Sequence, residues 1–217
     1  MSQLTFKFPF KTTYFKEDFY VSSSNFTAYR LIESWPNWPA KNINIFGPSG
    51  CGKTHLSNIL KKKINALFIK SVHLNSSSLN DIKNTECLII EDYKNDVNEE
   101  LLYTLINQMV LSDKYLLINS QEPLKKIKIR LKDLESRFNS FIDIGINLPT
   151  DDLLKVILSK FFSDKQIEIN VKLFDYILKN IDRSYENIFR FLKDIDMASL
   201  STGKAININL IKKVLNR

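Results

Sequence analysis

Gly47-Pro48-Ser49-Gly50-Cys51-Gly52-Lys53-Thr54 has the spacing GxxxxGKT, and each residue type in it answers a requirement of phosphate chemistry. Glycines at 47, 50 and 52 let backbone N–H groups turn inward around phosphate oxygens. A helix starting just after them aims the positive end of its dipole at the same place. Lys53 then reaches the outer phosphates of a nucleotide, and the Thr54 hydroxyl reaches a magnesium ion. The apolar run 43–46 precedes the loop and 55–63 follows with helical spacing, the strand, loop, helix setting that the pattern needs. A glycine-rich turn without a ligand does not account for that setting.

Two further polar sites follow in chain order. Cys87-Leu88-Ile89-Ile90 is a continuous apolar run ending in Glu91-Asp92, the form of a buried strand whose acidic end serves magnesium and the attacking water. Glu91 stands where Asp is usual. Its extra methylene displaces the carboxylate, and a misplacement of about 1 Å can cost on the order of 100-fold in rate, so metal binding is expected to survive better than hydrolysis. Asn119 and Ser120 end the next apolar run, 115–118. Asn119 is placed to meet the terminal phosphate or its water, although Asn-Ser is also an ordinary turn sequence. Ser136-Arg137-Phe138 presents an arginine that can stabilise transition-state charge on a nucleotide held by a neighbouring molecule. Lys125, Lys126, Lys128, Arg130 and Lys132 form a basic segment, either a solvated face or a contact to DNA.

The elements that must position these residues alternate. Extended runs at 43–46, 66–70, 87–90, 115–118 and 141–148 are separated by helical patterns, 101–110 and 131–138 among them, which implies an α/β fold with a five-stranded, mainly parallel sheet covered on both faces. Ahead of the first strand, 21–25 supplies capping residues for a helix at 26–35, and Trp35 to Pro39 is a rigid connector. Pro149 and Thr150-Asp151-Asp152 mark a boundary. Beyond it 171–180, 184–200 and 209–215 read as helices of a small all-helical domain. The expected organisation is thus 1–11, an extended segment; 12–149, an α/β nucleotide-binding domain; and 150–217, helical.

Composition limits the alternatives. The chain has 217 residues, 44% hydrophobic and 12% aromatic, enough for a sizeable core. A formal charge of +7 permits nucleic acid or an acidic partner without requiring either. Two cysteines, Cys51 and Cys87, are too few for a disulfide framework and point to a reducing compartment. With only His55 and His73 beside them, a typical zinc site is not expected. No apolar run approaches membrane-spanning length, and the N-terminus lacks a signal-peptide core, so a soluble cytoplasmic protein is expected.

The whole arrangement resembles the AAA+ family and, within it, the group around the initiator DnaA. Phe19 to Asn25 followed by Ala28 looks like the adenine-side box of that group, Gly52-Lys53-Thr54-His55-Leu56 is similar to its loop and helix start, and Ser136-Arg137-Phe138 matches the box carrying its arginine finger. The chain ends after the helical segment, without the initiator's origin-binding domain, and so looks like the Hda branch. Gln3-Leu4-Thr5-Phe6-Lys7-Phe8 is similar to the clamp-binding motif of that branch. Glutamine can bond at a pocket rim while Leu4, Phe6 and Phe8 fill apolar pockets.

The resemblance implies an AAA+ P-loop core with a helical lid. It implies ADP or ATP with Mg2+, bound by residues 47–55 (Gly47, Pro48, Ser49, Gly50, Cys51, Gly52, Lys53, Thr54, His55) and Val21, with metal at Thr54, Glu91 and Asp92. Asp92 and Asn119 would serve hydrolysis, and Arg137 would act in trans. Its partners would be the DNA polymerase III sliding clamp (beta subunit), through Gln3, Leu4, Phe6 and Phe8, and DnaA, whose bound ATP it would cause to be hydrolysed. DNA would be met indirectly through the clamp, self-association is allowed, and no membrane is involved. Glu186 falls where the family carries an arginine facing the phosphates, and a carboxylate there repels a triphosphate. The rival readings are an autonomous DNA-stimulated ATPase related to helicase loaders, and a clamp-tethered adaptor.

Overall fold

The computed structural model describes residues 14–95, 97–202 and 205–215. Tyr14–Asn147 pack as one compact unit and the chain from Leu148 onward belongs to a second. The first unit holds strands β1 (Asn42–Phe46), β2 (Ala66–Lys70), β3 (Cys87–Tyr93), β4 (Tyr115–Ser120) and β5 (Ile142–Gly145). They form one sheet in the order β2-β3-β4-β1-β5, and every pairing is parallel. Helix α1 (Phe26–Glu33) precedes β1, and between the strands run α2 (Lys53–Lys61), a short α3 (Ser78–Asp81), α4 (Glu99–Leu111) and α5 (Lys132–Asn139).

Continuous apolar strands suit a sheet covered on both faces. Leu88, Ile89 and Ile90 of β3 and Leu116, Leu117 and Ile118 of β4 are each fully buried. Leu88, Ile90, Leu116 and Ile118 meet Leu102, Leu105, Ile106 and Met109 from one face of α4, and Leu134 and Phe138 from α5, in a single cluster. A polar line crosses one side of the sheet, from β4 through β1 to the edge strand β5. Ser120 Oγ donates to Asn44 Oδ1 (3.0 Å) and Asn44 Nδ2 donates to Asp143 Oδ1 (2.8 Å). A slip of one residue would break both bonds and turn Asn44 onto the other face, so the line fixes the register of β4, β1 and β5.

The second unit contains α6 (Asp151–Asp164), α7 (Val171–Asn180), α8 (Tyr185–Thr202) and α9 (Ile208–Leu215). Thr150 caps α6 as its sequence position suggests, accepting from Leu153 N at 3.3 Å. Leu154, Leu158, Ile177, Ile188, Ile195 and Ile211 belong to its own core.

Two details differ from expectation. Asn25 precedes α1 without capping it; its amide instead closes the preceding turn, accepting from Ser22 N (2.9 Å) and donating to Tyr20 O (3.0 Å). The last strand ends at Gly145 rather than 148, because Gly145 is where β1 also stops. Helix α3 (Ser78–Asp81), for which the sequence pattern gave no expectation, is too short for its period to show.

Candidate phosphate-binding site

The chain leaves β1 for the far edge at β2, returns through β3 and β4, and adds β5 on the other side of β1. Ligands of open parallel sheets bind at such a reversal, beyond the carboxyl ends of the strands. Gly47 to Gly52 follow β1 at that place. Gly47 N donates to Ser120 O (3.2 Å), and a Cβ at Gly47 would lie 2.6 Å from Ile146 O. Gly50 and Gly52 have φ of 81° and 102°, conformations costly for other residues. Gly52 is also the residue before α2, whose first intrahelical bond joins Leu56 N to Gly52 O (3.0 Å). The N–H groups of 53–55 therefore have no partner within the helix and form the positive end of its dipole.

A Cβ at Gly52 would also stand 2.9 Å from the Phe19 ring. Gly52→Ala thus combines a disfavoured φ with a collision, and is expected to cost about 1–3 kcal/mol. Thermal denaturation should show a Tm lower by several degrees; an unchanged Tm would contradict the packing of Phe19 over the loop.

Lys53 lies within the loop, 8% exposed, its ammonium donating to Gly47 O (2.7 Å) and Pro48 O (3.0 Å). Beside it Cys51 is buried, and that burial raises its thiol pKa against the opposing pull of Lys53, so the loop carries no thiolate to repel phosphate at neutral pH. Cys87, deep in β3, is pushed up to about 12 by burial.

Thr54, Glu91 and Asn119 come together. Thr54 Oγ1 donates to Glu91 Oε2 (2.7 Å), Asn119 Nδ2 donates to Glu91 Oε1, and the same amide donates to Ser57 Oγ (2.6 Å). Glu91 and Asn119 are buried. The Glu91 carboxylate, on its longer side chain, reaches the Thr54 hydroxyl directly. Asp92 is not part of this set. The β3–β4 register shifts between Ile90 and Tyr93, Asp92 takes φ 55°, and its side chain is exposed while its carbonyl accepts from Ser71 Oγ (3.0 Å). Ser57 was not singled out from sequence, although it lies one turn after Thr54 on the inward face of α2.

The donor set suits a nucleotide with magnesium. Among the described residues no three His, Cys, Asp or Glu side chains gather as a metal site, but magnesium is ordinarily held by one or two protein oxygens plus phosphates and waters, and Thr54 and Glu91 carry oxygens of the kind that would do so. Asn119 Oδ1 is buried without a hydrogen-bond partner among the described residues, an acceptor on the amide whose Nδ2 joins the cluster.

On the other side of the loop, segment 14–19 is bound to α2. His55 Nε2 is 2.6 Å from Phe15 O, and its ring meets Tyr14 and Phe19 edge-on. The His55 side chain thus serves this segment, and only its backbone N–H belongs with the loop. Val21 is half-buried in the turn closed by Asn25. Glu33 holds Lys16 (2.6 Å) and Lys63 (2.8 Å). The Lys16 bond first, then Lys63, lowers the Glu33 pKa below its usual 4.5. A depressed carboxylate stabilises the fold fully above the unfolded value and loses that effect as pH falls through the lowered one. Denaturation followed from pH 7 down to 3 should show this small contribution disappear only below about 4.5 in native protein, with Glu33→Gln removing it; solvent screening keeps the effect small.

Arg137, in the last turn of α5, is half-buried and forms no ion pair among the described residues. Its neighbour Phe138 is 1% exposed and packs against Tyr93 and Phe141. In the helical unit Glu186 is exposed in the first turn of α8, and Arg183 pairs with Asp151 (2.9 Å). Gln3, Leu4, Phe6 and Phe8 lie outside the described residues.

Residues 151–215 match a family model described as the lid domain of Hda, and 43–132 match one described as RNA helicase. The chromosomal replication initiator protein DnaA of Buchnera aphidicola subsp. Baizongia pistaciae is 28% identical, over 99% of this chain and 53% of its own. That of Nautilia profundicola is 26% identical, over 92% and 51%. Domain III of Thermotoga maritima DnaA superposes with a TM-score of 0.76 at 20% identity, covering 96% of this chain and 98% of that one.

The chain is similar in sequence to DnaA and, over residues 151–215, to the Hda lid, and it has the AAA+ fold of DnaA domain III. It spans about half the length of the DnaA relatives it matches. AMPPCP-bound DnaA from Aquifex aeolicus (TM-score 0.69, 21% identity, 85% of this chain and 65% of that one) and the Thermotoga maritima RuvB branch migration motor (0.65, 20%, 89% and 67%) share its fold. An AAA+ core followed by a helical lid is thus the architecture of this chain, and the loop, Glu91 and Asn119 occupy its strand ends.

Proposed function

We propose that this protein is a cytoplasmic regulator of replication initiation that holds an adenine nucleotide, ADP in its working state, and promotes hydrolysis of ATP bound to DnaA. The observation that supports it most is the match of residues 151–215 to the Hda lid, following a core with a complete phosphate loop.

In this reading the Lys53 ammonium exchanges its two loop carbonyls for phosphate oxygens. The N–H groups of 53–55 receive the same phosphates, and Val21 and its turn border the adenine. Thr54 and Glu91 would hold magnesium, with Asn119 orienting Glu91, and the ion would supply positive charge against the phosphates. Gln3, Leu4, Phe6 and Phe8 dock on the sliding clamp. Arg137, free of any carboxylate among the described residues, is offered to the ATP of DnaA. There its charge stabilises the terminal phosphoryl group as the bond to the leaving oxygen breaks and water attacks. Glu186, in place of an arginine, keeps the protein's own hydrolysis weak.

The test is hydrolysis of DnaA-bound ATP with clamp loaded on DNA. The native chain is expected to accelerate it, and Gln3→Ala/Leu4→Ala to lose the effect while retaining nucleotide. No acceleration by the native chain would end this reading. A second one, an autonomous ATPase, draws support from the direct Glu91–Thr54 bond and the helicase-model match; it predicts DNA-stimulated turnover in the absence of DnaA.

A further inference from the structure

Segment 125–132 is a basic surface with a fixed backbone, and none of the roles above uses it. Lys125, Lys126, Lys128, Arg130 and Lys132 are all exposed, whereas Ile127, Ile129 and Leu131, which alternate with them, are half-buried against the main core. The alternation turns four of the five cations away from the apolar side. The backbone is tied at several points. Lys126 N donates to Pro123 O (2.9 Å) and Ile127 N to Leu124 O (3.1 Å), while Asn95 Nδ2 donates to Lys128 O (2.9 Å). The Glu99 carboxylate accepts from Arg130 N (3.0 Å) and Leu131 N (2.7 Å).

Glu99, the acid held against the segment, is therefore engaged by the backbone and not by a cationic side chain. None of the five cations forms an ion pair among the described residues, unlike Lys16, Lys63, Lys165 and Arg183 elsewhere. Asp133 and Glu135 begin only beyond Lys132, in the first turn of α5.

We propose that this segment is a binding surface for the phosphodiester backbone of nucleic acid, which the protein thus contacts directly. A row of unpaired cations on an already ordered backbone meets a polyanion with little ordering entropy, and release of the polymer's counterions drives the association. The apolar side chains face inward, so the surface lacks the exposed apolar face of a membrane-inserting segment. It also presents no aromatic side chain on which bases stack. Binding is then independent of sequence and tolerant of strand type.

Fluorescence anisotropy of a labelled single strand and of a duplex, titrated with the full chain across salt concentrations, tests this. Lys125→Gln/Lys126→Gln/Lys128→Gln/Arg130→Gln should weaken binding at least about 10-fold near 0.1 M salt and make the duplex salt slope shallower by about 3.6. Its Tm and nucleotide affinity should remain native. Lys172→Gln/Lys179→Gln, exposed on α7, should bind as the native chain does. The proposal is overturned if the native chain binds neither polymer at low salt, if the fourfold variant keeps native affinity and slope, or if the α7 variant loses as much. It is equally overturned if phosphatidylserine vesicles alone respond to the fourfold change.

Discussion

Arg137→Ala is expected to reduce the stimulated hydrolysis of DnaA-bound ATP by about 10^3-fold or more, the range an arginine supplied in trans contributes to nucleotide hydrolysis. The packing explains why the loss should be so specific. Phe138, one residue on, is 1% exposed and wedged between Tyr93 and Phe141, so α5 is anchored without help from Arg137. The guanidinium has no ion pair among the described residues, and its removal leaves no stranded carboxylate. Stability should stay within about 0.5 kcal/mol of native, and the protein's own nucleotide affinity should be unchanged. Arg137→Lys is expected to rescue poorly, since an ammonium lacks the planar fork that bonds two phosphate oxygens. Single-turnover hydrolysis measured on DnaA preloaded with labelled ATP reads all of these.

Lys53→Met should weaken nucleotide binding by about 100-fold, two charge-assisted hydrogen bonds at about 1.5–3 kcal/mol each being lost with partial compensation. Methionine keeps an unbranched apolar stem out to the ε position, so the change removes little besides the ammonium. The ammonium also closes the loop in the structure by donating to Gly47 O and Pro48 O. Its removal leaves both carbonyls in the loop without that donor, and a Tm fall of a few degrees should accompany the binding loss. Titration with a fluorescent adenine nucleotide, paired with thermal denaturation, separates the two effects. Native affinity in Lys53→Met would show that the loop does not hold the nucleotide.

Much of the core was legible because local signals and tertiary demands coincide. The apolar runs at 66–70, 87–90 and 115–118 became β2, β3 and β4, since strands buried on both faces need no alternation to be seen. The phosphate loop carries its geometry in its glycines, and α7 at 171–180 was bounded by its period alone. What escaped the sequence depends on contacts, near or far along the chain, that no residue pattern announces. Nothing local in Asn25 says that its amide will close the turn behind it instead of capping α1. Similarly, the exposure of Asp92 follows from a register shift between β3 and β4, and Ser57 gains its meaning only when β4 brings Asn119 beside it. The line through Ser120, Asn44 and Asp143 joins residues far apart in the chain. Polar residues in central strands read as weak strand formers until their partners are known.

The central claim is that the chemistry happens on DnaA and that this chain contributes Arg137 to it, not its own Glu91. Stimulated hydrolysis of labelled ATP preloaded on DnaA, with clamp loaded on DNA, should therefore be compared for Glu91→Gln and Arg137→Ala. A glutamine in place of Glu91 keeps one acceptor for the Thr54 hydroxyl and turns its NH2 toward Asn119, whose Oδ1 can receive it on rotation of the amide, so the site persists while the carboxylate is lost. The account predicts stimulation close to native with Glu91→Gln and none with Arg137→Ala. Loss with Glu91→Gln and full stimulation with Arg137→Ala would contradict it.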